Sequence, residues 1–388
     1  MTTRNANILR GVRNFSPLLQ AFEAGYSADE IKQAVLDALR PEFEHPERLN
    51  TYGIDLLAVE YVNVQRVRSR GWSAQIYDTC LQIRRHCFSA KEAECGRVCG
   101  EWLGSISNGL ALYWSAVRLE RVKSDLPLED FAYEIFRNTG ALIEGTLQTY
   151  LKEMLHITRT LNGDEGSFDE INQLNLGAVV QQLDATQAFR ALLVIPKWPV
   201  SLNQWRNIAQ HFSLRADGAL VRCTYGARNQ YVIELSREEL LKVARSLFLL
   251  YSAFRTAQTI FFLDNAESLS VYCKPSTRGE SDRLFQFNVG AASQGFEVVA
   301  LEVCGGRAFA RLVDVSDVEE LQRALHATQF TFQLWVATRA IEIEIEYNSK
   351  SGRQKLKSTV KGEDCKKVFN GLEDLSYLAR VSVFMQFP

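Results

Sequence analysis

The chain of 388 residues holds five histidines, and one of them, His211, stands five positions after Arg206 in the segment SLNQWRNIAQHFSL, residues 201–214. The order R-N-x-x-x-H sets a guanidinium, an amide and an imidazole within two helical turns. Asn207 and His211 are four apart and share one helix face. Arg206 lies roughly 140° round the axis from His211, and its long stem can bend toward the same patch. Together the three groups suit a phosphodiester. Arginine offers bidentate donors to phosphate oxygens, and histidine moves protons near neutral pH. Asparagine can hold the scissile group or fix the imidazole tautomer. RNA carries its own nucleophile, the 2′-hydroxyl, so this chemistry requires no metal and no cofactor. The same spacing also fits an ordinary helix face.

Charge around the motif is uneven. The whole chain carries −2, which excludes a globally basic nucleic-acid coat. Residues 196–230, however, hold Lys197, Arg206, Arg215, Arg222 and Arg228 against Asp217 alone. A basic patch on a near-neutral protein favours a bound phosphate or an RNA strand, with a solvated face as the plain alternative.

Several elements must position these residues. The length suggests two or three domains. Residues 1–122 read mostly as helix. YSADEIKQAVLDALRPEF has a capping box at Ser27 and Glu30 and a stop at Pro41, and Ser89 with Glu92 repeats the device. Gly100, Gly104, Ser105 and Gly109 would let another helix approach closely. A long amphipathic helix starts near Pro127, with Ile135, Leu142, Leu147, Leu151 and Leu155 as its apolar stripe. A short helix over LGAVVQQLDA and the turn IPKWPVS follow. Ser201 and Gln204 then read as a capping box that starts the motif helix at Leu202. ALVRCTYGARNQYVIELS reads as a hairpin around Gly226, and Ser236 with Glu239 caps one further helix. From about residue 266, SLSVYCK, RLFQFNV, FEVVALEV and RAFARLVDV read as strands, with a tight turn at Gly305-Gly306. SDVEELQRALHA reads as a capped helix. RAIEIEIEYNSKSGRQKLKSTV reads as a hairpin whose Glu342, Glu344 and Glu346 pair with Lys355 and Lys357 across a wet face. The expected class is mainly α and multidomain: a helical N-terminal domain (1–122), a helical bundle with an inserted β-hairpin (123–265) and a C-terminal α+β domain (266–388).

The central third resembles the HEPN superfamily, whose members carry R-x(4–6)-H, often with a polar residue after the arginine. Arg206, Asn207 and His211 match that pattern. The helix with ALIEGTLQTYLKEML resembles the family's earlier helix, which often carries an acid, here Glu144. The hairpin at 219–235 departs from the simplest HEPN bundle. The resemblance implies a metal-independent endoribonuclease of a prokaryotic defence or toxin system, acting as a homodimer with one composite site. RNA is then the substrate, and a protein partner or antitoxin is possible. It also allows a non-catalytic HEPN-fold scaffold or nucleotide-sensing module. Arg206, Asn207, His211 and Glu144 are the catalytic candidates it names.

Other chemistries lack their signatures. G-x-x-x-x-G-K-[ST], G-x-G-x-x-G after a strand and G-x-S-x-G do not occur. Cys80, His86, Cys87, Cys95 and Cys99 cluster in sequence, but their spacing is poor for zinc and reads as buried thiols. His156 and His326 read as lone packing or surface histidines, and Trp205 as core or a base-stacking ring. Reduced cysteines, a start without an apolar signal core and no apolar run of roughly 18 residues lead to an expected cytoplasmic protein with no membrane partner.

Overall fold

The computed structural model describes residues 16–116, 126–164, 166–226, 230–273, 280–316 and 320–387. It is mainly α, with a three-stranded and a five-stranded sheet. The helices of the first third are α1 (Ser16–Glu23), α2 (Ala28–Leu39), α3 (Ile54–Arg68), α4 (Gly71–Ala90) and α5 (Glu92–Ala116). The capping box at Ser27 and Glu30 is made in both directions. Ser89 caps nothing: α4 runs through it to Ala90, and the break falls at Lys91.

α6 (Leu128–Leu142), a π turn (Ile143–Leu147) and α7 (Gln148–Leu161) form one continuous rod. The five stripe residues are each at most 2% exposed. Leu142 to Leu147 is a step of five, and the π turn falls across it. One extra residue in the coil keeps both halves of the stripe facing the core. α8 (Phe168–Gln173), α9 (Leu176–Ala185) and α10 (Leu202–His211) follow. The sequence suggested a hairpin next, whereas the structure has three antiparallel strands, β1 (Leu214–Asp217), β2 (Leu220–Tyr225) and β3 (Tyr231–Ser236). α11 (Arg237–Asp264) starts at the Ser236–Glu239 capping box as expected. By length and composition it could cross a membrane, but 72% of its apolar stretch is buried inside the protein.

SLSVYCK and RLFQFNV do not form strands. α12 (Ala266–Ser270) occupies part of the first, and α13 (Glu280–Ala292) contains the second. Leu284, Phe285, Phe287, Val289, Ala291 and Ala292 are all buried, so α13 is apolar on most sides and its period is masked. The remaining elements are β4 (Phe296–Cys304), β5 (Arg307–Asp314), α14 (Glu320–Ala327), α15 (Phe330–Thr338), β6 (Glu342–Asn348), β7 (Lys355–Lys361), α16 (Gly362–Phe369), α17 (Leu375–Val381) and β8 (Val383–Phe387). The cap expected before α14 lies partly outside the described residues.

Contacts divide the chain into two compact units where the sequence suggested three parts. One comprises the described residues of Met1–Pro41, Leu49–Val62 and Arg278–Pro388, the other those of Glu42–Arg48 and Asn63–Thr277. In the first, β4 to β8 lie in sequence order, with β5 and β6 parallel and the rest antiparallel. Ile343, Ile345 and Tyr347 of β6 point into the core with Leu284, Phe296 and Leu334. The alternating carboxylates are paired, but mostly with arginines of β5: only Lys357 of the two expected lysines meets one of them, Lys355 stands opposite Asn348, and Glu344 is buried rather than on a wet face. Glu346 accepts two hydrogen bonds from Arg311 at 2.8 and 3.0 Å, and Glu344 meets both Arg307 and Lys357.

In the second unit α4 and α5 share a core with α7 and α11, which is why the early helices do not close a domain of their own. Phe88 of α4 meets Phe261 of α11 edge-on at 5.5 Å. Of the small residues in α5, Gly100 faces the backbone carbonyl of Tyr272, and a Cβ there would stand only 2.2 Å away. Residues 42–48 are held by Asp264, which accepts from the backbone N–H groups of Glu44 and His45 at 2.7 and 2.9 Å. Cys80, Cys87, Cys95 and Cys99 are fully buried thiols. His156 accepts from the Trp102 indole at 3.0 Å.

Arg84 and Glu153, both fully buried, form an ion pair at 2.8 Å, and Gln258 donates to the second Glu153 oxygen at 3.1 Å. Nε and Nη1 of Arg84 have no hydrogen-bond partner among the described residues. Glu153→Ala therefore strands a buried cation and is expected to cost about 3–5 kcal/mol in denaturant unfolding. Replacing both partners by Met and Leu should restore most of that loss, and a double variant as unstable as the single one would refute the assignment.

Candidate functional site

The motif helix α10 begins at Leu202, as its pattern implied, but not through the expected capping box. Ser201 Oγ donates instead to Asn203 Oδ1 at 2.7 Å, and Gln204 Oε1 accepts the N–H of Gly226 at 3.0 Å. Leu202, Trp205, Ile208 and Ala209 form its buried face. Trp205 is fully buried, which settles it as core, although its indole Nε1 has no partner among the described residues. α10 packs closely on α6 at Gly140, where a Cβ would stand 3.2 Å from that of Ala209.

This close packing brings Arg206 to the π turn. Its Nε lies 3.5 Å from Glu144 Oε1, and its Nη1 donates to Gln210 Oε1 at 3.0 Å. The Gln210 amide in turn donates to Glu144 Oε2. Three side chains thus form a closed ring, with the Arg206 side chain 21% exposed and that of Glu144 40% exposed. Glu144 is there because the π turn displaces it from the register a plain α-helix would give, and such turns recur at functional sites.

Asn207 and His211 lie on a different flank of α10. His211 is exposed, Asn207 half-buried, and among the described residues neither side chain makes a hydrogen bond or ion pair with the protein. The structure therefore unites Arg206 with Glu144 but aims the guanidinium at the π turn. Phe212 ends the helix in the left-handed region, at φ 46°, a costly conformation for a bulky residue. Its ring stacks on Tyr133 of α6 at 4.6 Å and 14°, and both rings are well exposed. Gln210, Tyr133 and Phe212 were not singled out from sequence. Only Gln210 had a visible signal, its spacing of four from Arg206.

The basic segment is partly neutralised. Lys197 pairs with Glu239 at 2.6 Å, and Arg206 with Glu144. Arg215 and Arg222 stand opposite each other across β1 and β2, exposed and without an ion pair among the described residues. Arg228 lies outside the described residues. Near the start of α10 two neighbouring clefts open. One, of about 370 Å³, is bounded by Tyr225, Tyr231 and Gln204, and the other, of about 580 Å³, by Asn175, Asp184 and Asn203. No group of three or more His, Cys, Asp or Glu among the described residues is placed to hold a metal ion.

Compared with known protein families, with characterised proteins and with solved structures, the chain matches none.

Proposed function

We propose that the protein is a metal-independent endoribonuclease of the HEPN type, built around Arg206, Asn207 and His211 and serving a prokaryotic defence or toxin system. The observation that carries this reading is the meeting of Arg206 with Glu144 across α10 and the π turn. A partly buried arginine held by a carboxylate keeps a fixed direction, and fixed donors are what charge development on a phosphate needs. In this reading the substrate 2′-hydroxyl attacks the adjacent phosphorus and the 5′-oxygen leaves. His211 takes the proton from the attacking hydroxyl, and the imidazole of a second copy of the chain returns one to the leaving oxygen. Arg206 offsets the charge of the phosphorane, and Asn207 orients the phosphate or the imidazole. One motif histidine per chain and two proton transfers are the reason for the homodimer. Arg215 and Arg222 add an exposed positive surface for the strand.

One observation favours the non-catalytic scaffold: the Arg206 guanidinium is already engaged by Glu144 and Gln210, turned toward the π turn. A single experiment separates the two. Labelled RNA and DNA of one sequence are incubated with the protein in EDTA over a range of protein concentrations. Cleavage of RNA alone, products ending in 2′,3′-cyclic phosphate and a rate that rises with the square of low protein concentration are expected. No cleavage, or cleavage only when magnesium is restored, would overturn the proposal.

A further inference from the structure

At the end of α10 away from His211, β2 ends and β3 begins in a cross-strand tyrosine pair. Tyr225 and Tyr231 are opposite in register, and their rings stack at 5.5 Å and 30°. Tyr231 is nevertheless 53% exposed, so one of its faces is left open. The pair borders the cleft of about 370 Å³, whose other walls include Pro199, Val194, Gln204 and Gly226. That volume lies in the range of small-ligand pockets. No charged side chain among the described residues lines it, and its apolar and aromatic walls suit a neutral planar ring.

Gln204 gives the cleft a directional group. A backbone N–H can meet only the oxygen of an amide, so the bond from Gly226 fixes which way Gln204 points. Its Nε2 keeps both hydrogens without a partner among the described residues. Gly226 is itself required, because it sits at φ +84° and a Cβ there would stand 2.6 Å from the Tyr231 ring. The turn, the ring and the amide are thus set by one another before any ligand arrives.

We infer that this cleft binds one nucleobase of a single-stranded RNA, stacked on Tyr231 with an acceptor on its edge meeting Gln204 Nε2. This rests on the reading of Arg206 and His211 as an RNA-cleaving site and adds to it a base-recognition subsite. Gln204 and His211 are seven residues apart on the same side of α10, about 10 Å along its axis. The held base therefore belongs to a nucleotide a step or two from the scissile phosphate. Stacking tolerates any base, while a donor amide favours one that presents an oxygen or a ring nitrogen acceptor.

The test uses the full chain and fluorescein-labelled 2′-O-methyl octamers of uridine and of adenosine, which lack the nucleophile and stay intact. An abasic strand of the same length and charge is the control. Tyr231→Ala is expected to weaken octamer binding about tenfold or more. Tyr231→Phe should bind like the parent, and neither change should alter the abasic strand. Gln204→Glu should weaken both octamers by turning a donor into an acceptor. Unchanged octamer binding by a folded Tyr231→Ala, an equal loss on the abasic strand, or no octamer binding by the parent would each overturn the inference. Failure of the cleavage reading looks different: natural RNA then stays intact while the base-dependent, Tyr231-dependent binding persists.

Discussion

His211→Ala is expected to lower RNA cleavage by a factor of about 10²–10⁴, the usual worth of a positioned proton-transfer group, with no change in the thermal unfolding temperature. The structural side of this expectation is direct. His211 is the last residue of α10, is exposed, and its imidazole makes no hydrogen bond to protein among the described residues. Alanine is a good helix former, so its removal costs the fold little. If His211 serves packing instead, the pattern inverts: the unfolding temperature falls and activity per folded molecule stays level. Both quantities are to be measured on one preparation. A well-folded His211→Ala that cleaves at the parent rate removes this residue from the chemistry.

Arg206→Ala is expected to lower kcat by on the order of 10²–10³, as the loss of one preorganised donor to developing charge does. Substrate affinity should also fall, because a phosphate contact is lost. Arg206→Lys should recover affinity better than kcat, since an ammonium keeps the charge but not the planar fork. Glu144 enters through Arg206. It touches the guanidinium at 3.5 Å and is held by the Gln210 amide, so Glu144→Gln should lower kcat more than it raises KM. In the Arg206→Ala background the same change should do almost nothing. That non-additivity is the mark of a positioning residue. Stability should barely respond, because a half-exposed ion pair contributes about 0–1 kcal/mol. Additive losses of kcat in the double variant would show that Glu144 acts on its own.

How much of this was readable follows the range of each interaction. The capping boxes at Ser27–Glu30 and Ser236–Glu239 form as the spacing implies, because both partners lie within one turn. The Ser201–Gln204 box has the same spacing and fails. Gln204 is taken by Gly226, twenty-two residues on, and no local rule sees that competitor. The strands β4 to β7 were legible, since alternation survives where one sheet face is covered and the other bears charges. The helix α13 was not, because burial on most sides erases the period.

The sequence by itself determined the motif helix, the apolar stripe from Ile135 to Leu155 with its step of five, and the glutamate row of β6. Each is a periodic or nearest-turn property, written into side chains that are neighbours along the chain. Only the tertiary structure decided that α4 and α5 join the core of α7 and α11, and that Arg206 turns to Glu144 and Gln210 while His211 keeps another flank. It also decided that Tyr231 stays open beside a cleft. Those outcomes depend on which helix meets which, at Gly140 against Ala209 and at Gly100 against Tyr272. A contact of that kind is set by shape between distant segments, and spacing along the chain does not encode it.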